Sequence, residues 1–466
     1  EKRVFHIAGF IVVALGCGLF TNQIILSDFM EEHQINIRMF RPMESYQKYG
    51  GVLTFARSVG YAVVKKPEGY STAKVDQIIQ EYEKKSANAQ QSIAKQYPNI
   101  ITVVNETFAD IKVLGDFKTN EDYMPYFHSL KKNCVTGYTY ASIVGGQTAN
   151  TEFELLTGNT LGFLSAGTTA FQLYIHGQMP SLVSNLKAEG YSGNKAMHPF
   201  NPYNYNRPAV YKDFGFADFI DKFDFPKNVK RVREYISDEA NVDRIISEYE
   251  KNRKKTDQPF YMYNMTIQNH SPYDKDAANF KQPIKIESSK YDAEANRYLN
   301  LIKYSDDSLK QLTSYFEKCK EPTIILFLGD HQPRLTDEFM NKITNGQYQT
   351  WSSEQMMKRY QVPFVIWANY DIKEQHIEKT SMNYIQSILT KTAGVKMTGY
   401  QRFLNEVRKE VPTITSQGYW GKNGKFYQIN DKGSPYYGII QKYRMIQYNM
   451  MFDKKNRRDS FFEVSK

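Results

Sequence analysis

The chain has 466 residues, a net charge of +10, a pI of about 9.0 and three cysteines, Cys17, Cys134 and Cys319. That length and apolar content allow one large domain or about two to three ordinary ones and exclude a disordered or fibrous chain; so few cysteines exclude a disulfide framework. The basic balance suits an anionic membrane face or phosphorylated substrates, whereas nucleic acid is the least supported partner, since no Arg-rich arm, zinc-finger spacing or RNA-binding signature occurs.

The first element is VFHIAGFIVVALGCGLF, residues 4–20, which is almost wholly apolar. It lies at the short limit of the roughly 17–25 residues that span a bilayer. Residues 1–25 are therefore expected to form a transmembrane segment, the last of several in a longer chain. Lys2 and Arg3 would mark its cytoplasmic side and leave the remainder outside. A buried helix or a signal-peptide core is the alternative reading.

Residues 26–96 are expected as a connector and stalk. Residues 26–70 show no clean periodicity, and KKPEGYS, residues 65–71, reads as a turn. The following stretch from Thr72 reads as a polar helix with a narrow apolar stripe at Val75, Ile78, Ile79 and Tyr82.

From Pro98 onward, short β-rich runs alternate with helical patterns. NIITVVNETF, PFYMYNMTIQNH, PTIILFLGDH and VPFVIWANY are strand candidates, and SLVSNLKAEG and NRYLNLIKYSDDSLKQLTSYFEK are helix candidates. The alternation predicts an α/β domain over residues 97–400, a mainly parallel sheet flanked by helices. Residues 401–466 are expected to form a small C-terminal α+β region: a helix, a hairpin at Asn423-Gly424 and a closing helix.

In such a sheet, functional groups lie just beyond the carboxyl ends of the strands. Asn105, Glu106 and Thr107 end the first run, Gln268, Asn269 and His270 the second, and Asp330 and His331 the third. Glu106, Asp330 and His331 offer two carboxylates and an imidazole, a set that suits Mn²⁺, Mg²⁺ or Zn²⁺. Singly, Glu106 and Asp330 read equally well as helix caps and His331 as a turn residue. The stretch GGQTANTEFELLTG, residues 145–158, places Thr148 at a helix N-terminus, where free backbone N–H groups favour a phosphate. Beside a metal this hydroxyl is a candidate nucleophile. The competing reading is a capping box, with Thr148 or Thr151 as cap and Glu152 or Glu154 reaching back. Spacing alone favours the cap.

VNETFAD, GGQTANTEFELLTG and LGDHQP together resemble the three active-site blocks of lipoteichoic acid synthase-type phosphoglycerol transferases, within the sulfatase and alkaline phosphatase superfamily. YGGVLTFARSVGYAVVKKPEGYS is similar to the connector such proteins carry between membrane helices and an extracellular domain. The resemblance implies a sulfatase/alkaline phosphatase-like fold. It also implies Glu106, Thr148, Asp330 and His331 as metal ligands, manganese as the usual metal with Mg²⁺ or Zn²⁺ as alternatives, and Thr148 as the nucleophile. In HPFNPYNYNR, His198, Tyr205 and Arg207 match groups around the glycerol phosphate, Arg207 as a bidentate fork, and His270 matches a pocket histidine able to protonate the leaving oxygen. Tyr205, where relatives often carry Trp, and the Pro-Arg after Gln332 depart from the pattern. The implied reaction moves glycerol phosphate from phosphatidylglycerol, through a phosphothreonine intermediate, to a lipoteichoic acid chain or wall polysaccharide outside the membrane. A hydrolase using water as acceptor and a non-catalytic glycan-binding scaffold are the other readings. The scaffold predicts a missing ligand position, and all four are filled. Sulfate-ester chemistry is disfavoured, because the nucleophile block has no Cys-x-Pro-x-Arg or Ser-x-Pro-x-Arg sequence.

Overall fold

The computed structural model describes residues 2–26, 37, 42–62, 64–87, 92–287, 293–346 and 348–464. In chain order the strands begin with β1 (Asn99–Asn105), β2 (Cys134–Tyr140), β3 (Ser192–Met197) and β4 (Asp218–Ile220). A hairpin of β5 (Arg231–Val232) and β6 (Tyr235–Ile236) follows, then β7 (Phe260–Met265), β8 (Thr323–Gly329), β9 (Gln361–Ala368) and β10 (Gln375–Ser381). Eight of them form one sheet in the order β10-β2-β9-β8-β1-β7-β3-β4. Only β9 runs against its neighbours, β2 and β8; every other pair is parallel, as the alternating pattern predicts.

The centre of this sheet is buried on both faces. β1, β7 and β8 have every residue buried, which is why they read as unbroken apolar runs. Alternation along each strand divides the core in two. Ile324, Leu326 and Leu328 of β8 join Ile100 and Val104 of β1 on one face, while Ile325 and Phe327 join Ile101 and Val103 on the other. The helix at 293–316 covers the second face with Leu299, Ile302, Leu309 and Leu312. The carboxyl ends of β1, β3, β7 and β8 therefore share one edge of the sheet, and β9, being reversed, begins there.

Among the described residues before the sheet lie the α-helices α1 (Lys2–Phe20), α2 (Pro42–Tyr49), α3 (Gly51–Ala62) and α4 (Thr72–Ala87), with a π-helical turn at Thr21–Leu26. The stretch His6–Ile24 is long and apolar enough to cross a membrane, with mean hydropathy 1.8 and none of it buried against the protein. α3 packs on the end of that segment and is patterned inside out. Its inward face carries Thr54, Arg57 and Tyr61, with Tyr174 Oη donating to the Tyr61 carbonyl, whereas Val52, Phe55 and Val59 point outward and exposed. α4, expected as a stalk, lies along the globular part instead. Val75, Ile78 and Tyr82 are buried in the core against the helices 399–410 and 437–451, and Asp76 and Glu81 pair with Arg458 and Lys442.

Past β10, the helices at 399–410 and 437–451 bracket a small antiparallel sheet of β11 (Thr413–Thr415), β12 (Gly418–Trp420) and β13 (Phe426–Tyr427). The β12–β13 hairpin turns at Asn423-Gly424, where Gly424 has φ +75°. Cys17, Cys134 and Cys319 are all free thiols.

Candidate active site

The site is built on the strand ends at the centre of the sheet. Glu106 follows β1, and Asp330 and His331 follow β8, its parallel neighbour, so adjacent strand ends bring the three together. One ligand atom from each lies within 4.8 Å of the others, a grouping that can hold a metal ion. All three side chains are buried.

Their hydrogen bonds hold them in place and leave the facing atoms unmatched. Asp330 Oδ1 accepts from the backbone N–H groups of Thr107 (2.7 Å) and His331 (2.8 Å), while Oδ2 has no hydrogen-bond partner among the described residues. His331 Nδ1 lies 3.0 Å from the Gln332 carbonyl; a carbonyl only accepts, so Nδ1 carries a proton, and with Nδ1 so engaged Nε2 is the ring atom that can offer a lone pair to a cation. That Nε2 is also unpartnered, 3.2 Å from Asp330 Oδ2 and 3.9 Å from Glu106 Oε1. Burial first, then the charge of Asp330, raise the Glu106 carboxyl well above the usual range. Three converging lone-pair donors in a buried site are costly unless a cation or protons join them, so the residues fit a divalent metal.

Thr148 completes the group. It opens the helix α5 (Thr148–Thr157), and its hydroxyl lies 3.5 Å from Glu106 Oε2. The approach to it is left-handed throughout, with φ of +67° at Gly145, +141° at Gly146 and +67° at Gln147. A Cβ at Gly145 would stand 3.1 Å from that of Arg334, so both space and backbone angle require glycine there. The capping box does not form. The cap position is Gln147, without a side-chain cap bond, and Thr151 Oγ1 instead donates to the Asp330 carbonyl (2.8 Å), tying α5 to the β8 loop.

Glu152 and Glu154 have other work. Glu152, fully buried, accepts from Arg207 Nε (3.1 Å) and Nη2 (2.6 Å), from Tyr263 Oη (3.2 Å) and from Tyr211 Oη. Arg207, expected to fork onto phosphate, thus directs its Nε and Nη2 at Glu152. Glu154 Oε1 accepts from Ser142 Oγ (2.7 Å), Leu161 N (2.9 Å) and Thr160 Oγ1 (3.3 Å), yet burial still pushes its carboxyl up to about 7.

The remaining expected residues stand on the β7 and β3 side. His198, just beyond β3, is buried, with Nδ1 3.0 Å from the Met265 carbonyl; burial, then Arg207, push it well below the ordinary histidine range. Arg207 lies 5.1 Å from the centre of the Tyr205 ring, which is held at φ +60°. His270 is half-buried, stacked on Phe200, with Nδ1 2.7 Å from the Ser271 carbonyl; burial lowers it too.

Sequence reading missed the support beneath these groups. Asp238 Oδ2 accepts from Asn105 Nδ2 (2.7 Å) and Ser305 Oγ (2.6 Å), and Asn269 Nδ2 bonds Asn105 Oδ1 (3.1 Å) and Ser305 Oγ (2.8 Å). This network fixes the turns after β1 and β7. Asp238 and Ser305 come from helices distant in sequence, and no local motif marks them.

The class of the protein follows from this architecture together with the sequence. The family model described as Sulfatase matches residues 98–395, and the chain belongs to that family; its fold is of the sulfatase/alkaline phosphatase type. Within it, the sequence is similar to a Rhizobium meliloti protein assigned to cyclic beta-1,2-glucan modification, at 30% identity over 91% of this chain and 65% of that one. It is also similar to a lipoteichoic acid synthase-like protein of Bacillus subtilis, at 27% identity over 50% of this chain and 36% of that one. The chain thus spans less than two thirds of the length of either. In fold it is similar to a Streptococcus pyogenes phosphoglycerol transferase solved with sn-glycerol-1-phosphate, with TM-score 0.69 and 20% identity over 86% of this chain and all of that one.

Proposed function

We propose that the protein is a membrane-anchored, metal-dependent phosphoglycerol transferase that moves glycerol phosphate from phosphatidylglycerol to a cell-envelope polymer outside the membrane. The observation that carries this reading is the buried, unmatched cluster of Glu106, Asp330 and His331 beside the Thr148 hydroxyl at the start of α5. The exposed apolar stretch His6–Ile24 and the outward Val52, Phe55 and Val59 of α3 support a membrane anchor next to a lipid donor.

Glu106, Asp330, His331 and Thr148 would hold the cation, Mn²⁺ before Mg²⁺ or Zn²⁺; when bound it lowers the threonine hydroxyl pKa and offsets charge on the phosphate. Thr148 Oγ1 releases its proton to solvent as it attacks the phosphorus, the bond to the diacylglycerol oxygen breaks, and His270, in its protonated form, delivers a proton to that oxygen. Backbone N–H groups at the start of α5 receive the phosphate oxygens. His198, Tyr205 and Arg207 line the side of the glycerol phosphate, with Arg207 a cation fixed by Glu152 instead of a free fork. The neutral His270 then takes the proton of an acceptor hydroxyl as its oxygen attacks the phosphothreonine, and the bond to Thr148 Oγ1 breaks, that oxygen regaining a proton from solvent. The alignment over most of this chain with a glucan-modification protein favours an envelope glycan as acceptor over a lipoteichoic acid chain.

The test is the full chain in detergent with Mn²⁺ and fluorescent phosphatidylglycerol. Diacylglycerol release by the wild type and none by Thr148→Ala is expected. No release by the wild type, or equal release by the variant, overturns the proposal; release without any glycan product points to water as the acceptor.

A further inference from the structure

A cleft of about 420 Å³ opens beside Thr148, lined by Gly146, Gln147, Arg334, Tyr348, Tyr360 and Gln417 among others. Its place in the sheet sets it apart from the expected donor side. His198 and His270 follow β3 and β7, on one flank of the Glu106–Asp330–His331 cluster. The cleft is formed on the other flank by the segment after β2, the turn after β8, the residues leading into β9 and the β11–β12 turn, together with residues 161–168 that follow α5. Thr148 follows directly on Gln147 of the cleft wall, and its hydroxyl lies 3.5 Å from Glu106. Gly146 leaves the cleft wall open at this point, since a Cβ there would meet nothing within 4 Å.

We infer that this cleft binds the acceptor, and that the acceptor is a neutral oligosaccharide. The inference rests on the transferase reading above. In a two-step transfer through Thr148 the acceptor hydroxyl must reach the phosphorus from a site that the donor's glycerol does not fill, and the β2–β9–β8 flank supplies a space walled by Gly146 and Gln147, the residues that lead directly into Thr148. The lining decides the chemistry. Among the described residues that line it, none is a carboxylate, and its polar groups other than the arginines are amides, hydroxyls and tyrosine rings, among them Gln147, Ser165, Ser416, Gln417, Tyr348 and Tyr360. Of the two cations, Arg359 is buried and donates to the Pro333 carbonyl (3.0 Å), so only the exposed Arg334 faces solvent. A polyanion with a charge at every repeat calls for a row of cations. Flat aromatic faces with amide and hydroxyl partners around them suit the apolar faces and equatorial hydroxyls of sugar rings.

The test separates the half-reactions. Wild type, Tyr348→Ala and Gln417→Ala are incubated with phosphatidylglycerol vesicles and Mn²⁺, without acceptor, with a neutral β-glucan hexasaccharide, and with a polyglycerol-phosphate hexamer. Diacylglycerol and modified acceptor are quantified by mass spectrometry. The expected result is release without acceptor within about twofold of wild type in both variants, and a KM for the glucan raised about tenfold or more. An unchanged glucan KM, or an equal fall in both half-reactions, overturns the acceptor assignment while leaving the transferase reading intact. A variant effect confined to the polyglycerol-phosphate hexamer overturns the neutral-glycan assignment. Absence of diacylglycerol release by wild type under every condition removes the transferase reading and this inference with it.

Discussion

Two buried clusters of charge flank α5 and meet burial in opposite ways. Around Glu152 the protein supplies everything: the Arg207 guanidinium gives the countercharge, and Tyr211 and Tyr263 add hydroxyl donors. Around Glu106 no cation among the described residues makes an ion pair, the Arg207 charge acting on it only from its place on Glu152, and Asp330 Oδ2 and His331 Nε2 face the same space unpartnered. A carboxylate whose partners all come from the chain braces the structure. One whose facing neighbours are also acceptors is arranged for something the chain does not contain.

The largest effect should fall on chemistry at the unmatched cluster. Thr148→Ala should lower diacylglycerol release by about a thousandfold or more while leaving the melting temperature within a few degrees, since only a hydroxyl beside an already unsatisfied group is lost. Calorimetry alongside the lipid assay reads both.

The matched cluster should respond in stability. Arg207→Ala leaves Glu152 buried without a cation and should cost about 3–5 kcal/mol in denaturant unfolding. Adding Glu152→Gln should recover a good part of that, since the amide carbonyl still accepts from the tyrosines. If the double variant is no more stable than the single, Arg207 matters for its packing and the contrast between the clusters weakens.

A smaller effect is expected at Glu154, which shares α5 with both clusters. Its carboxyl is held at about 7 in the folded chain against 4.5 ordinarily. Between those values the folded state keeps a proton the unfolded state has lost, so stability is fullest below pH 4.5 and declines as pH rises through about 7. Glu154→Gln should remove about 1–3 kcal/mol of that decline, read as a flatter stability profile between about pH 5 and 7.5.

How much of this was legible in the sequence depends on which faces were buried. The four strands visible as apolar runs, β9, β8, β1 and β7, lie side by side at the centre of the sheet, where both faces are covered. The flanking β2 and β3 mix buried and partly buried positions, β10 mixes buried and exposed ones, and the three carry Gly, Lys, Thr and Glu, so they left no such run. α3 was missed because its apolar residues face outward, the reverse of the usual pattern. In the site, Glu106, Asp330, His331 and Thr148 were within reach because each ends a strand or opens a helix at a motif. The roles of Glu152 and Asp238 were not, since their partners come from elements far away in sequence. Whether Thr148 caps its helix also needed coordinates: the capping bonds are absent, and its hydroxyl donates to Glu106 instead.

The central claim is that the Glu106, Asp330 and His331 cluster is arranged for a cation, and titration calorimetry with Mn²⁺ on wild type and Asp330→Asn tests it most directly, with metal-free melting curves of both. In Asp330→Asn the amide oxygen can still accept from Thr107 and His331 N–H, while its N–H₂ can donate toward Glu106 and His331. The account predicts saturable binding at a single site in the wild type, loss of that binding in Asp330→Asn, and a higher metal-free melting temperature for the variant. Equal Mn²⁺ binding by both proteins, or none by the wild type together with a less stable variant, would contradict it.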